Sequence, residues 1–474
     1  MQIDEEYFRS DEFLEMLESY ETAMERGAAP FMDVDDLVDI ADYYSWQNND
    51  EKANEAIDHA LSIYPSATLP NVFKARQALM DDQFEEARSY ADQIADQDDP
   101  DYHYLKAEIL IAEGNIELAD RYLRDYSMTV DADEYSDYVK DVANLYIDYD
   151  VNDKAYEWML RSRGDNSDDF KELLGRTFFG LGKYDDSERI FNELIDRNPY
   201  SKQYWNALAS AQYMKEDYSG AITSSEYAIA IDPEDPQSIL SKSSGLFHLG
   251  NYEEAYNYFK RVTKMAGPDP FSLLHQGVCL MSLGRHQEAL PLLENALDVC
   301  GDDEGKVQIY EELAFCYSTL RMPDKALAML DKTDELPCDH LDMQVIKGHI
   351  LLENNKIHEA EQEFRKAITE SEAAPRILLR ILVSLLDNHF LQACYRMFKL
   401  FLPVLIANDN NEGYPYMALC CHDLGKTDEF LHYLRLATKH TPHEASLVLG
   451  FLFPEDTPVS EYVAYMEQRQ GNTK

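Results

Sequence analysis

Basic residues are scarce in this chain of 474 residues: 42 Lys and Arg stand against 90 Asp and Glu, a formal net charge of −48 at pH 7. That balance excludes nucleic acid as a partner, because proteins that bind it carry a basic footprint. It argues equally against an anionic membrane surface. The shortage is sharpest at the start, where residues 1–170 hold 13 bases and 44 acids, a net −31, leaving −17 for the other 304 residues. One reading of so much charge is solubility. The sharper reading is a basic protein or peptide partner that engages the first third.

Cysteine is sparse and unpaired in pattern. The seven cysteines are an odd number with no C-x-x-C among them, which gives no disulfide framework. Long apolar runs are missing too. None approaches the roughly 20 residues that span a bilayer, and the most apolar region, 376–407, is interrupted by Arg380, Asp387, Arg396 and Lys399. The opening MQIDEEYFRSDEFLEM lacks the basic start, apolar stretch and small-residue cleavage site of an export signal. The expectation is a cytoplasmic protein with no membrane partner.

Catalytic motifs are absent as well. There is no G-x-x-x-x-G-K-[ST] to cradle phosphates, no G-x-G-x-x-G and no H-E-x-x-H, since His358-Glu359 and His443-Glu444 lack the second histidine. Cys420, Cys421 and His422 invite a metal or nucleophile reading. However, Cys279, Cys316 and Cys420 occupy one repeated position (described next), where cysteine acts as a small apolar residue. The sequence therefore predicts no enzyme, no cofactor and no metal.

What the chain does have is periodicity. Residues 249–262, LGNYEEAYNYFKRV, put Ala255, Phe259 and Val262 on one helical face after a glycine suited to ending the previous helix. The same half-motif recurs with its marker position at Ala53, Ala87, Ala119, Ala155, Ser187, Ala221, Ala255, Ala289, Ala326, Ala360, Ala393 and, as a larger exception, Phe430, at spacings between 32 and 37. A fixed period near 34 marks a repeat array. Twelve residues before each marker, eleven of twelve positions are Ala, Gly or Ser, with Ile381 the exception. Four residues after it lies an apolar plug such as Phe191, Phe259, Leu293 or Met397, with Ala91 and Ser225 as exceptions. Two helices that cross closely need a small residue on each, and the pair of columns meets that need.

The unit YWNALASAQYMKEDYSGAITSSEYAIAIDP, residues 204–233, carries Trp205, Leu208, Ala209, Tyr218, Ala221, Ala228 and Pro233, and in these positions it resembles a tetratricopeptide repeat. The resemblance extends over 34–444 as about twelve units. It implies an all-α, right-handed superhelical solenoid of helix-turn-helix repeats whose first helices line a concave groove. Residues 1–33 and 445–474 read as N- and C-terminal capping regions, with Ser10 opening a helix whose stripe is Phe13, Leu17, Tyr20 and Met24. One departure stands out: Lys74, Lys106, Lys242, Lys347 and Arg380 occur where the family prefers leucine. Either their stems snorkel along the neighbouring helix or those first helices are rotated.

The family implies a protein–protein interaction scaffold that binds a peptide or helix in its groove. The two-carboxylate clamp that some members use for acidic chaperone tails is rejected: Lys140 and Asn144 fit, but Leu173, Gln203 and Ala207 do not. Eight residues before successive markers runs an apolar ladder, Leu79, Ile111, Ile147, Phe179, Tyr213, Phe247 and Met281. It reads either as core packed under the next repeat or as aromatic anchors of a groove with an acidic rim. Candidate groove residues are Phe179, Tyr213, Phe247, Phe271, Met281, Phe315, Leu378 and Leu382, the last two for a second partner or self-association. Nothing else in the sequence indicates a homo-oligomer. The alternative function is a ligand-responsive regulator that closes around a small signalling peptide.

Overall fold

The computed structural model describes residues 7–26, 30–47, 49–162, 164–408, 411–454 and 457–471. Among them the chain forms 27 α-helices and no strand. It divides into two compact units, Met1–Asp232 and Pro233–Lys474. The first holds the helix Asp11–Glu25 and six helix pairs, 34–63, 68–91, 100–126, 135–159, 168–197 and 202–231. The second holds pairs 236–266, 270–299, 303–331, 340–370, 375–407 and 413–440, then Pro442–Leu449 and Tyr462–Gly471. These pairs are repeats 1 to 12. Each first helix packs on its own second helix, and within each unit successive first helices touch from repeat 1 to 6 and from repeat 8 to 12.

The two small columns are where the helices of a pair meet. Ala41, Ala75, Ala107, Ala143, Ala209 and Ala314 are sealed from solvent, as are the markers from Ala53 to Ala360. The glycines of the column lie against the plug of their own repeat. A Cβ built on Gly175 would sit 2.8 Å from the Phe191 ring and one on Gly277 2.5 Å from Leu293, and one on Gly348 would overlap Phe364. Ser187 uses its hydroxyl instead, donating to the Gly175 carbonyl at 2.9 Å. A larger side chain in either column would separate the pair.

Repeat 11 corrects the expected register by one residue. Ala393 is only half-buried, whereas Cys394 is sealed and its thiol donates to the Leu382 carbonyl, twelve residues back, at 3.4 Å. The plug is accordingly Phe398, fully buried, and not Met397. An independent backbone feature agrees. Five residues before the markers of repeats 2 to 12 the chain turns through the left-handed region, at Asp82, Gly114, Asp150, Gly182, Glu216, Gly250, Gly284, Arg321, Asn355, His389 and Gly425. His389 fits this series only if Cys394 is the marker. The turn lets a second helix double back on the first, and L-residues tolerate it singly at modest cost.

The same correction settles the misplaced cations. Arg380 leaves the lysine column and pairs with Asp342 at 2.6 Å. The true members snorkel: Lys74 reaches Asp58 at 2.7 Å, Lys347 reaches Asp331 at 2.8 Å, and Lys242 donates to the Tyr258 hydroxyl at 2.9 Å. Part of the acid excess is also local structure. Asp99, Asp235, Asp269, Asp302 and Asp339 each accept a backbone N–H at the start of a first helix. At the beginning of the chain Ser10 caps its helix through Phe13 N at 3.2 Å, and Phe13, Leu17 and Tyr20 are buried. The three cysteines sharing a column are buried without exposure, and burial pushes the Cys279 thiol up to about 12 and Cys316 to about 11. At neutral pH these two thiols stay protonated.

Candidate functional site

Each first helix has one face committed to its partner helix and another left open. At 100° per residue, the positions eighteen, fifteen, eleven and seven before the marker fall within about 80° of arc. The sealed small column, twelve before the marker, lies well outside that arc. Cavities open along these same columns in both units.

In unit 1, Val38, Asp42, Leu69, Val72, Arg76 and Asp101 from repeats 1 to 3 line a cavity of about 690 Å³. In repeats 4 and 5, Asp137, Lys140, Asn144, Asp169, Glu172 and Arg176 line a second, of about 590 Å³. In unit 2, Val345 and Leu379 with Phe315, His349 and Val383, from repeats 9 to 11, line a third, of about 430 Å³.

The cavities differ in chemistry. Along unit 1 the cations on this face already hold acids or amides. Arg76 Nε donates to Glu108 Oε2 at 2.9 Å, Lys140 pairs with Asp137 at 2.7 Å, and Arg176 donates to Asn144 Oδ1 at 2.9 Å and Asp148 Oδ1 at 3.1 Å. Carboxyls remain in excess. Burial holds Asp42, Asp101, Asp141 and Glu172 above the usual carboxylate values, although Tyr104 donates to Asp141 at 2.9 Å. In these grooves an ionised acid is poorly solvated.

The unit 2 cavity has an apolar floor with a few polar groups at its edge. His349 stands edge-on to Phe315, ring centroids 6.0 Å apart, with its Nδ1 3.0 Å from the Ser384 hydroxyl. Burial lowers the His349 pKa, which favours the neutral imidazole at physiological pH. Asp387 and Tyr416 complete the wall, the tyrosine donating to Glu444 at 2.6 Å. Earlier in unit 2, Phe271 is 46% exposed and lies against His275, centroids 4.1 Å apart, while Phe247 meets the same imidazole edge-on at 5.2 Å.

The sequence candidates therefore separate into three groups. Phe271 and Phe315 stand on the open columns. Phe179, Tyr213, Phe247 and Met281 are half-buried, and the ladder they belong to lies at the border between the open face and the small column. Its aromatics pack edge-on against the tyrosine that begins their own second helix: Phe179 on Tyr184, Tyr213 on Tyr218 and Phe247 on Tyr252, at 5.4–5.7 Å. Leu378 and Leu382 are a correction. They are 1% and 0% exposed, inside the core of repeats 10 to 12, so neither offers a surface to a partner. Sequence reasoning missed His349, Val345, Leu379 and Val383. The signal for them was the columns fifteen and eleven before the marker, readable in repeat 11 only with Cys394 in register.

Comparison with known proteins points to one family. Tetratricopeptide-repeat models match residues 173–236, 269–333 and 341–373, and the model of anaphase-promoting complex, cyclosome, subunit 3 matches residues 214–296. No curated protein matches the chain. Among solved structures, a thermophilic TPR protein of Thermus thermophilus is similar at 22% identity and TM-score 0.32, over 39% of this chain and all of that one. YrrB, described as a TPR protein with an unusual peptide-binding site, is similar at 19% identity and TM-score 0.32, over 38% of this chain and 91% of its own. A tetratricopeptide repeat protein from Parabacteroides merdae gives 11% identity and TM-score 0.41, over 52% and 96%.

Proposed function

Since this chain is a tetratricopeptide-repeat protein, we propose that it is a non-catalytic cytoplasmic scaffold that binds a protein partner by a peptide or helix laid along its first helices. Proteins of this family generally mediate protein–protein interactions. The observation that carries the reading is that cavities in both units open on the same columns of their first helices. A segment lying across several first helices meets equivalent positions at each step, and apolar pockets along it give anchors for its side chains.

One apolar anchor point is the cavity of repeats 9 to 11. Its floor of Phe315, Val345, Leu379 and Val383 suits a bulky aliphatic or aromatic side chain, and the imidazole of His349 at its edge gives a hydrogen-bonding partner for a backbone amide or carbonyl. The half-buried ladder aromatics flank such a segment in their own repeats. The few side chains that fill a desolvated pocket dominate association.

Peptides selected by display on the purified chain test this. Phe315→Ala with Val383→Ala is expected to weaken the selected peptides by about tenfold or more, as loss of an anchor pocket does. Phe315→Leu, which keeps an apolar filling, should restore much of the affinity. The helical signal and the retention of repeats 1 to 6 report any general loss of fold. Unchanged affinity in the double variant, with no selected peptide sensitive to any open-column residue, would contradict the proposal.

A further inference from the structure

We propose that the groove of repeats 1 to 3 is a docking site for a cationic peptide, one that presents lysine or arginine side chains interleaved with apolar residues. The inference rests on the scaffold reading and narrows it to one place and one chemistry.

The groove joins two features that a single ligand must satisfy together. Its floor is apolar: Leu69, Val72 and Phe73 lie at the base, and Met80, 83% exposed, stands at the rim. Its walls are acidic. Asp39, Asp42, Asp50, Asp81 and Asp101 all border the same cavity of about 690 Å³. The cation in that lining is Arg76, and it is committed to Glu108, which also accepts from the Tyr149 hydroxyl at 3.3 Å. Asp39 is engaged by the Tyr7 hydroxyl at 2.8 Å, but a hydroxyl brings no charge.

Charge complementarity selects the occupant. Arg76, already held by Glu108, favours the ionised Asp42 and Asp101 only in part, and burial outweighs it and holds both carboxyls above their usual values. A lysine ammonium or arginine guanidinium entering the groove would replace the missing hydration, and the low local dielectric strengthens the pair. The same walls repel an acidic segment. The surrounding field acts in the same sense, since residues 1–170 carry a net −31 and attract cationic chains from a distance. An uncharged apolar peptide would satisfy the floor and leave the walls unpaired. A polycation without apolar residues would do the reverse.

Fluorescence anisotropy with three labelled peptides on the full chain tests this: alternating lysine and leucine, alternating glutamate and leucine, and alternating lysine and serine. The wild-type chain is expected to bind the lysine–leucine peptide at near-physiological salt and neither of the others. Asp42→Asn with Asp101→Asn should weaken that binding by about tenfold or more, the loss expected when a desolvated charge pair loses one member. The double variant keeps the side-chain shapes and removes two poorly solvated charges, so its melting midpoint should be unchanged or raised. Met80→Ser should also weaken the lysine–leucine peptide.

Three results would overturn the inference: failure of the wild type to bind the lysine–leucine peptide, equal binding by the double variant, or equal binding of the lysine–serine peptide, which marks a general attraction to the acidic surface. If the double variant binds the lysine–leucine peptide normally and Phe315→Ala with Val383→Ala abolishes binding, the unit 1 site is wrong while the scaffold reading stands. If neither pair of substitutions affects any peptide, both fall.

Discussion

Phe398→Ala is expected to destabilise the chain by about 3–5 kcal/mol, the usual cost of removing a fully buried phenylalanine, whereas Met397→Ala should cost far less. Phe398 is sealed in the core shared by repeats 10 to 12, and Met397 is only half-buried beside it. The two residues are neighbours in sequence, so the comparison isolates register from every other variable. Urea unfolding followed by circular dichroism reads the difference. Each repeat touches mainly its neighbours, so the loss should appear first as an early transition involving repeats 10 to 12. A larger effect at Met397 than at Phe398 would restore the marker to Ala393 and detach His389 from the series of left-handed turns.

Gly277→Leu is expected to cost about 3 kcal/mol, at the upper end of the range for overpacking a filled core. A Cβ alone at this position would stand 2.5 Å from Leu293 Cδ2 and 2.7 Å from its Cγ, and Leu293 is itself fully buried. The plug therefore has little room to turn aside, and the helices of repeat 8 must separate. Gly284→Leu is a useful contrast, because a Cβ there meets nothing within 4 Å and any cost comes from its left-handed backbone, φ +74°. Thermal melts of the two variants should differ clearly, with Gly277→Leu lower. Equal melts would mean that the small column does not set the distance between the helices of a pair.

The repeat was legible because each column appears about twelve times, and a physical requirement met in nearly every repeat outweighs a local exception. Close approach of two helices demands small residues, which made the columns visible as Ala, Gly and Ser. The same rule misled in repeat 11. Ala393 satisfied the size criterion, but Cys394, equally able to act as a small buried residue, is the one turned inward. The left-handed turn would have exposed the error, yet His389 supplies that conformation without being glycine and so left no mark in the sequence.

The open face was harder to read for a different reason. Hydrophobic recurrence reports burial, so the ladder eight residues before the marker drew attention and proved to lie at the border of the small column. The columns that line the cavities hold valine, aspartate, arginine, phenylalanine and histidine in different repeats. A surface shaped for a partner follows the partner's chemistry and has no period of its own. Phe271 and Phe315 are legible in the sequence as large apolar residues at other inward positions, while His349 and Val383 became visible only once the helices were in place.

The most direct test of the central claim is hydrogen-exchange mass spectrometry of the full chain with and without a display-selected peptide. If the first helices carry the binding face, added protection should concentrate in them, in repeats 1 to 5 or 9 to 11. The second helices should change little, apart from the turns that join them to protected first helices. Protection confined to the outer second helices, with the first helices unaffected, would contradict the account.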